Sequence, residues 1–239
     1  MTAIWKREMR NYFLTPIGYV FMGIFLLLGG LFFMSGNLYL GSGDPAYVFQ
    51  SLSYLFMLIV PLLTMRLLSE ERRRRTDQLL LTSPLPVRAI VLGKFFAAAA
   101  VFVCALGLTG SYIAIIGAYG KLYPGLILTN YLGFLLLGLC HIAVGLMVSA
   151  TTQSQLSAAV LTFGANALLQ FLESVGPALH IPGAPWLPEA LAWLSLYRRY
   201  ERFTAGVLSP ADALYMLSFM GILLFLTVRI VDKRRWSEG

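Results

Sequence analysis

The chain has 239 residues, 58% of them hydrophobic and 12% charged, with a formal net charge of +7. A soluble domain carries about a quarter charged residues, so a chain this apolar would expose far too much oily surface in water, and the membrane class is selected before any motif is read. Cys104 and Cys140 both fall inside apolar runs, which argues against a disulfide framework and a zinc site. The basic residues are not interleaved with aromatics along a polar surface, so they read as topology rather than as a nucleic-acid footprint.

Taken in order, residues 1–14 mix Ile4, Trp5, Met9, Phe13 and Leu14 with Lys6, Arg7, Glu8 and Arg10. This spacing suits a helix lying in the membrane interface with Trp5 and Tyr12 at headgroup depth, or a charged anchor that only sets topology. Pro16 breaks the path. The apolar stretch that follows is too long, and lacks the small-residue cleavage site, of a signal peptide. A membrane-crossing helix needs about 20 apolar residues, and six segments qualify: 17–39, 47–68, 89–119, 126–150, 155–175 and 211–231. The third exceeds the need and is expected to tilt or project. Its small residues Ala97 to Ala100, Gly107 and Ser111 offer a surface for close helix contact. Between the fifth and sixth spans, residues 176–210 carry Pro177, Pro182, Pro185, Pro188 and Pro210. The same segment holds Trp186, Leu191, Trp193, Leu194 and Leu196, which are too apolar for a free loop. Short helices packed at or dipping into the outer leaflet are expected there. No repeat or linker divides the chain, so residues 1–239 read as one all-α membrane domain.

With six spans, 14 of the 18 Lys and Arg residues fall on one side, leaving Lys121, Arg198, Arg199 and Arg202 on the other. The positive-inside rule then predicts a multi-pass plasma-membrane protein with both termini cytoplasmic.

Two polar features carry the functional reading. The first is Glu70-Glu71-Arg72-Arg73-Arg74-Arg75, wedged between the second and third spans and followed by Leu79-Leu80-Leu81-Thr82-Ser83-Pro84-Leu85. If the second span continues helically, Glu70 faces Arg74 and Glu71 faces Arg75 at i, i+4, pairs that contribute about 0.2–0.5 kcal/mol each. The leucines behind a polar rim form a short amphipathic stub, offered either to a partner's groove or to the membrane surface. The second feature is Thr162, Asn166, Gln170 and Glu173, one face of the fifth span. Polar groups in lipid need partners, so this face meets another helix, another protomer or a water-filled conduit. His141 reads as a packing residue of the fourth span.

Nucleotide hydrolysis is not written into the chain. Gly93-Lys94 is followed by Phe95, and Gly120-Lys121 by Leu122, where a P-loop needs Ser or Thr. No His-Glu-x-x-His occurs either.

The charge cluster, the run Thr76-Asp77-Gln78-Leu79-Leu80-Leu81-Thr82-Ser83-Pro84-Leu85, and Ile90-Val91-Leu92-Gly93-Lys94-Phe95 together resemble the ABC-2-type exporter permeases. Phe203-Thr204-Ala205-Gly206-Val207-Leu208 and Leu226-Thr227-Val228-Arg229 resemble the gliding-motility and nitrous-oxide-accessory branch of that family. Four consecutive arginines depart from the family's pattern of fewer basic residues followed by a small one.

The resemblance implies a prokaryotic cell-membrane subunit that pairs with a second copy or a related permease and binds two cytoplasmic ABC ATPase subunits. ATP and Mg would belong to those subunits and no cofactor to this chain. Residues 1–14 would match the family's interfacial helix and residues 176–210 its outer re-entrant helices. Residues 70–85 would match its coupling helix, with Glu70, Glu71, Arg72, Arg73, Leu79, Leu80, Thr82, Ser83 and Pro84 as docking residues. Spans one, two and five would line a dimer interface and conduit. The expected work is outward movement of an amphipathic or lipid-like substrate. Mechanotransmission to an extracytoplasmic protein is the alternative, with an ATP-independent channel or scaffold behind it.

Overall fold

The computed structural model describes residues 2–73, 86–119, 121–178 and 186–237. It is all-helical over these residues, and six helical stretches are long and apolar enough to cross a membrane: Pro16–Leu38, Ala46–Arg73, Val87–Ala118, Pro124–Thr151, Gln155–Leu172 and Pro210–Lys233. The elements in chain order are α1 (Thr2–Leu14), α2 (Pro16–Phe33, continued by a π-helical turn Met34–Leu38), α3 (Ala46–Thr64), α4 (Ser69–Arg73), α5 (Val87–Leu108) and α6 (Gly110–Tyr119). They continue with α7 (Pro124–Thr151), α8 (Gln155–Ala178), α9 (Leu187–Leu194), α10 (Leu196–Thr204) and α11 (Pro210–Ser237).

Pro16 stands at the first position of α2, where its missing N–H costs nothing and its fixed φ suits a helix. The chain therefore leaves α1 and re-enters helix at once. The long third span is divided between Leu108 and Gly110 at Thr109, whose hydroxyl bonds Leu106 O at 2.6 Å and lies 2.9 Å from the Tyr131 hydroxyl.

The fourth span, α7, is the centre of the bundle and packs on α3, α5, α8, α10 and α11. Between α2, α3, α5 and α7 lies an aromatic core. The Phe25 ring meets Phe56, Phe102 and Phe134 at centroid distances of 6.0, 6.2 and 6.0 Å, and Phe56 meets Phe102 at 4.9 Å. Lipid tails are as apolar as these rings, so it is close packing rather than escape from water that holds them. Gly145 on α7 shows how close: a Cβ there would overlap the Thr64 side chain of α3. The first, fifth and sixth spans sit at the periphery and turn Leu27, Leu31, Val160, Leu168, Ile222 and Phe225 outward.

α10 begins at Ser195, whose hydroxyl accepts from Arg198 N at 3.2 Å, and stops at Gly206, where φ is +83° and the left-handed turn needs a residue without a Cβ.

Candidate functional site at the charged end of the bundle

The second span does not run straight into its charge cluster. α3 ends at Thr64, the chain turns through residues 65–68, and α4 restarts at Ser69. A break in a buried helix strands backbone groups that need outside partners. Leu67 N is diverted to Thr64 O at 3.1 Å, and the Tyr12 hydroxyl of α1 donates to Leu63 O at 2.7 Å. Leu68 N and Ser69 N donate to Ser149 Oγ of α7 at 3.0 and 3.1 Å, and Ser149 Oγ donates onward to Met65 O at 3.3 Å. One hydroxyl thus uses both lone pairs and its proton on the turn. Tyr12 is buried against the bundle, because the break leaves a carbonyl that its hydroxyl can satisfy. Burial, with the Glu8 charge beside it, pushes the Tyr12 hydroxyl well above its ordinary pKa, so it remains a donor.

Beyond the break, α4 places Glu71 in a ring of four charges drawn from three helices. Arg7 Nη2 lies 2.8 Å from Glu8 Oε1 and 2.7 Å from Glu71 Oε1. Lys94 Nζ lies 3.1 Å from Glu8 Oε1 and 2.9 Å from Glu71 Oε1. Each cation touches both anions and the ring is neutral. Lys94 is 1% exposed, on α5, while Arg7 reaches solvent. Burial works against the ionised form of Glu8, but the Lys94 charge and hydrogen bonds from Arg7 and Lys94 outweigh it and hold its carboxyl below the ordinary value. Burial likewise opposes the Arg7 charge, and Glu8 and Glu71 reverse that effect. Beside the ring lies a cavity of about 520 Å³, lined among others by Asn11, Thr15, Arg66 and Glu70. On the other side of α4, the Arg72 guanidinium donates to Thr151 O at 3.1 Å. Arg72 and Arg73 there face Gln153 and Ser154, in the link between the fourth and fifth spans, across a cavity of about 500 Å³.

Of the residues singled out from the sequence in this region, Glu70, Glu71, Arg72 and Arg73 are thus brought to the α1 end of the bundle. Leu79, Leu80, Thr82, Ser83 and Pro84, with Arg74 and Arg75, lie outside the described residues. Arg7, Glu8, Tyr12, Lys94 and Ser149 were missed as site residues. The available signal was Lys94 itself, a charge two turns into an apolar helix whose other charge, Arg88, stands in the first turn.

On α8, Thr162, Asn166 and Gln170 are buried on the face toward α3 and α7. Glu173 falls on the same helix, its side chain outside the described residues. Thr162 Oγ1 and both amide atoms of Asn166 and Gln170 have no hydrogen-bond partner among the described residues. The His141 Nδ1 of α7 lies 2.9 Å from Leu137 O, which makes that nitrogen the donor, while buried Nε2 likewise has no partner among the described residues. α7 and α8 are antiparallel across a three-residue link, so His141 and Asn166, ten and eleven residues from it, lie at similar depth.

At the opposite end, Asp212 in the first turn of α11 is fully buried and paired with Arg199 at 3.1 Å and Arg202 at 3.2 Å, both on α10. The Arg199 guanidinium also lies 3.7 Å from the Tyr215 ring centroid and 5.2 Å from that of Trp193. Tyr215 donates to Leu194 O at 3.0 Å. The two short helices α9 and α10 are thereby clamped to the sixth span.

The profile of the family described as ABC-2 family transporter protein matches residues 3–229, nearly the whole chain. The chain belongs to that family. Comparison with curated proteins returns no match. An ABC-2 permease is the membrane subunit of an ABC transporter and normally has no ATPase site of its own. Membership implies an ABC ATPase partner and usually a second permease copy. Among the described residues, no group of three or more His, Cys, Asp or Glu side chains is arranged to hold a metal ion. The charged end of this ABC-2 permease is instead built for holding helices in register: two helix roots, α4 and α5, tied to α1 across a break.

Proposed function

We propose that this chain moves an amphipathic or lipid-like substrate outward, driven by ATP hydrolysis on a separate ABC ATPase that docks on residues 70–85. Both termini and that segment face the cytoplasm of a prokaryotic cell, a reading supported by the excess of Lys and Arg on that side. ATP and Mg bind the partner. The observation that carries the reading is the placement of Glu71, at the start of the docking segment, in a half-buried ring with α1 and α5. A partner shifts the bundle only through contacts that differ between its two states, and this is where the segment meets the bundle. A second permease, identical or related, completes the conduit; Thr162, Asn166 and Gln170, buried toward α3 and α7 in this state, and Glu173 supply its polar side when the bundle opens. The resemblance at Phe203 to Leu208 and Leu226 to Arg229 supports placement in the gliding-motility and nitrous-oxide-accessory branch.

A second reading, transmission of the same motion to an extracytoplasmic protein, is favoured by one feature. Trp186 and Trp193, each 64% exposed, sit on the outer segment clamped to α11.

Replacing Leu79 and Leu80 with Asp tests the docking assignment. The double variant is expected to insert and fold normally while losing stimulation of the partner's ATP hydrolysis. Undiminished stimulation removes residues 70–85 from the coupling role.

A further inference from the structure

Burying an ammonium between two carboxylates carries a desolvation cost that apolar contacts avoid, and neutral side chains of similar volume often hold such positions as well or better. Stability alone therefore does not account for Lys94, which is 1% exposed within the ring. Its position does. Glu71 stands just before residues 74–85, and α5, which carries Lys94, starts at Val87 just after them. The ring thus joins both roots of that segment to each other and, through Arg7 and Glu8, to α1. Removing the Lys94 ammonium leaves Glu8 and Glu71 with Arg7 as their shared cation in the ring, so the tie to α5 rests on this one buried group. The break at residues 65–68 frees α4 from the rigid line of α3, and the cavity of about 520 Å³ beside it leaves room for displacement.

We propose that Lys94 is the positioning residue of the coupling step: its ammonium binds the two roots of segment 74–85 to α1, so that a push on the segment moves α4, α5 and α1 together instead of bending α4 at the break. This rests on the reading of residues 70–85 as the ATPase contact. Without the ring, the partner's motion is absorbed at residues 65–68 and does not reach the far end of the bundle.

The test uses the permease purified with its copurifying ATPase and reconstituted in liposomes. Cys104 and Cys140 are replaced by Ser, and Leu40→Cys supplies a reporter, since Leu40 is 75% exposed at the end of the bundle opposite the ring. Labelling of that reporter by a membrane-impermeant maleimide is measured with and without ATP and vanadate. The parent is expected to label at different rates in the two conditions. Lys94→Met should assemble and hydrolyse ATP but lose the nucleotide effect at least about fivefold, the lower end of ordinary coupling between sites, and Lys94→Arg should keep it. The double variant Glu8→Gln, Lys94→Met removes one charge of each sign, leaves Glu71 paired with Arg7, and carries the test where Lys94→Met alone fails to fold. A full nucleotide effect in the double variant overturns the proposal. So does a double variant that fails to fold while Lys94→Arg folds, which makes the ring structural. A parent that copurifies with no ATPase, or shows no nucleotide effect, defeats the coupling reading itself, and the proposal falls with it.

Discussion

Glu8 is opposed by burial and held ionised by two cations, and the balance sets how the charged end responds to acid. Its carboxyl titrates below the ordinary value of 4.5 because Lys94 and Arg7 outweigh desolvation. The unfolded chain therefore takes up the proton first as pH falls. The stabilisation from Glu8 is complete above the unfolded value and is lost as pH drops through the lower folded one. Thermal melting of the detergent-purified protein is expected to fall as pH drops below about 4.5, more steeply in wild type than in Glu8→Gln. Parallel profiles for the two proteins would show that Glu8 is not held by the ring. Lys94 illustrates why such a residue is hard to see in sequence. It lies within reach of a loop rich in arginine, and only the packing of Ile4 on Gly93 and of Glu8 on the next residue makes it interior.

At the scale of elements, the break between α3 and α4 is held from outside. Residues 65–68 are Met, Arg, Leu and Leu, none a helix breaker, so composition gives no reason for the chain to stop there. The cause is 51 and 81 residues away, in the Tyr12 hydroxyl and the Ser149 hydroxyl. Ser149→Ala leaves two buried N–H groups and one partner of Met65 O unmet, and should destabilise the protein by about 1–3 kcal/mol. A lowered melting midpoint checks this, and an unchanged midpoint would mean that the turn closes its own hydrogen bonds. The six spans, by contrast, were legible from length and apolarity, since crossing about 30 Å of hydrocarbon requires both. The division of the third span at Thr109 was not, because it depends on Tyr131 of another helix. The two short helices at 187–194 and 196–204 were legible from the prolines and tryptophans around them, whereas their clamp depends on Asp212, a residue of the next span.

For the whole molecule, polarity is turned inward on the fifth span and apolar surface outward on the first, fifth and sixth. The sequence identified the polar face of Thr162, Asn166 and Gln170 but could not say what it meets. In this chain it packs toward α3 and α7, with amide atoms that find no partner among the described residues. Replacing a buried group that lacks a partner with an apolar one of similar shape removes a desolvation penalty. The double variant Asn166→Leu, Gln170→Leu is therefore expected to assemble, to melt no earlier than wild type, and to show reduced ATP-driven movement of fluorescent amphiphiles in liposomes. Unchanged movement would make the polar face a packing feature.

The central claim is that this permease works through a separate ATPase seated at the charged end. Gentle purification of the tagged chain from its native membrane, with mass spectrometry of what accompanies it, tests that most directly. An ABC ATPase is expected in stoichiometric amount, retained by wild type and lost when Leu79 and Leu80 are replaced with Asp. A clean complex without any ATPase, reproducible across mild detergents, would contradict it.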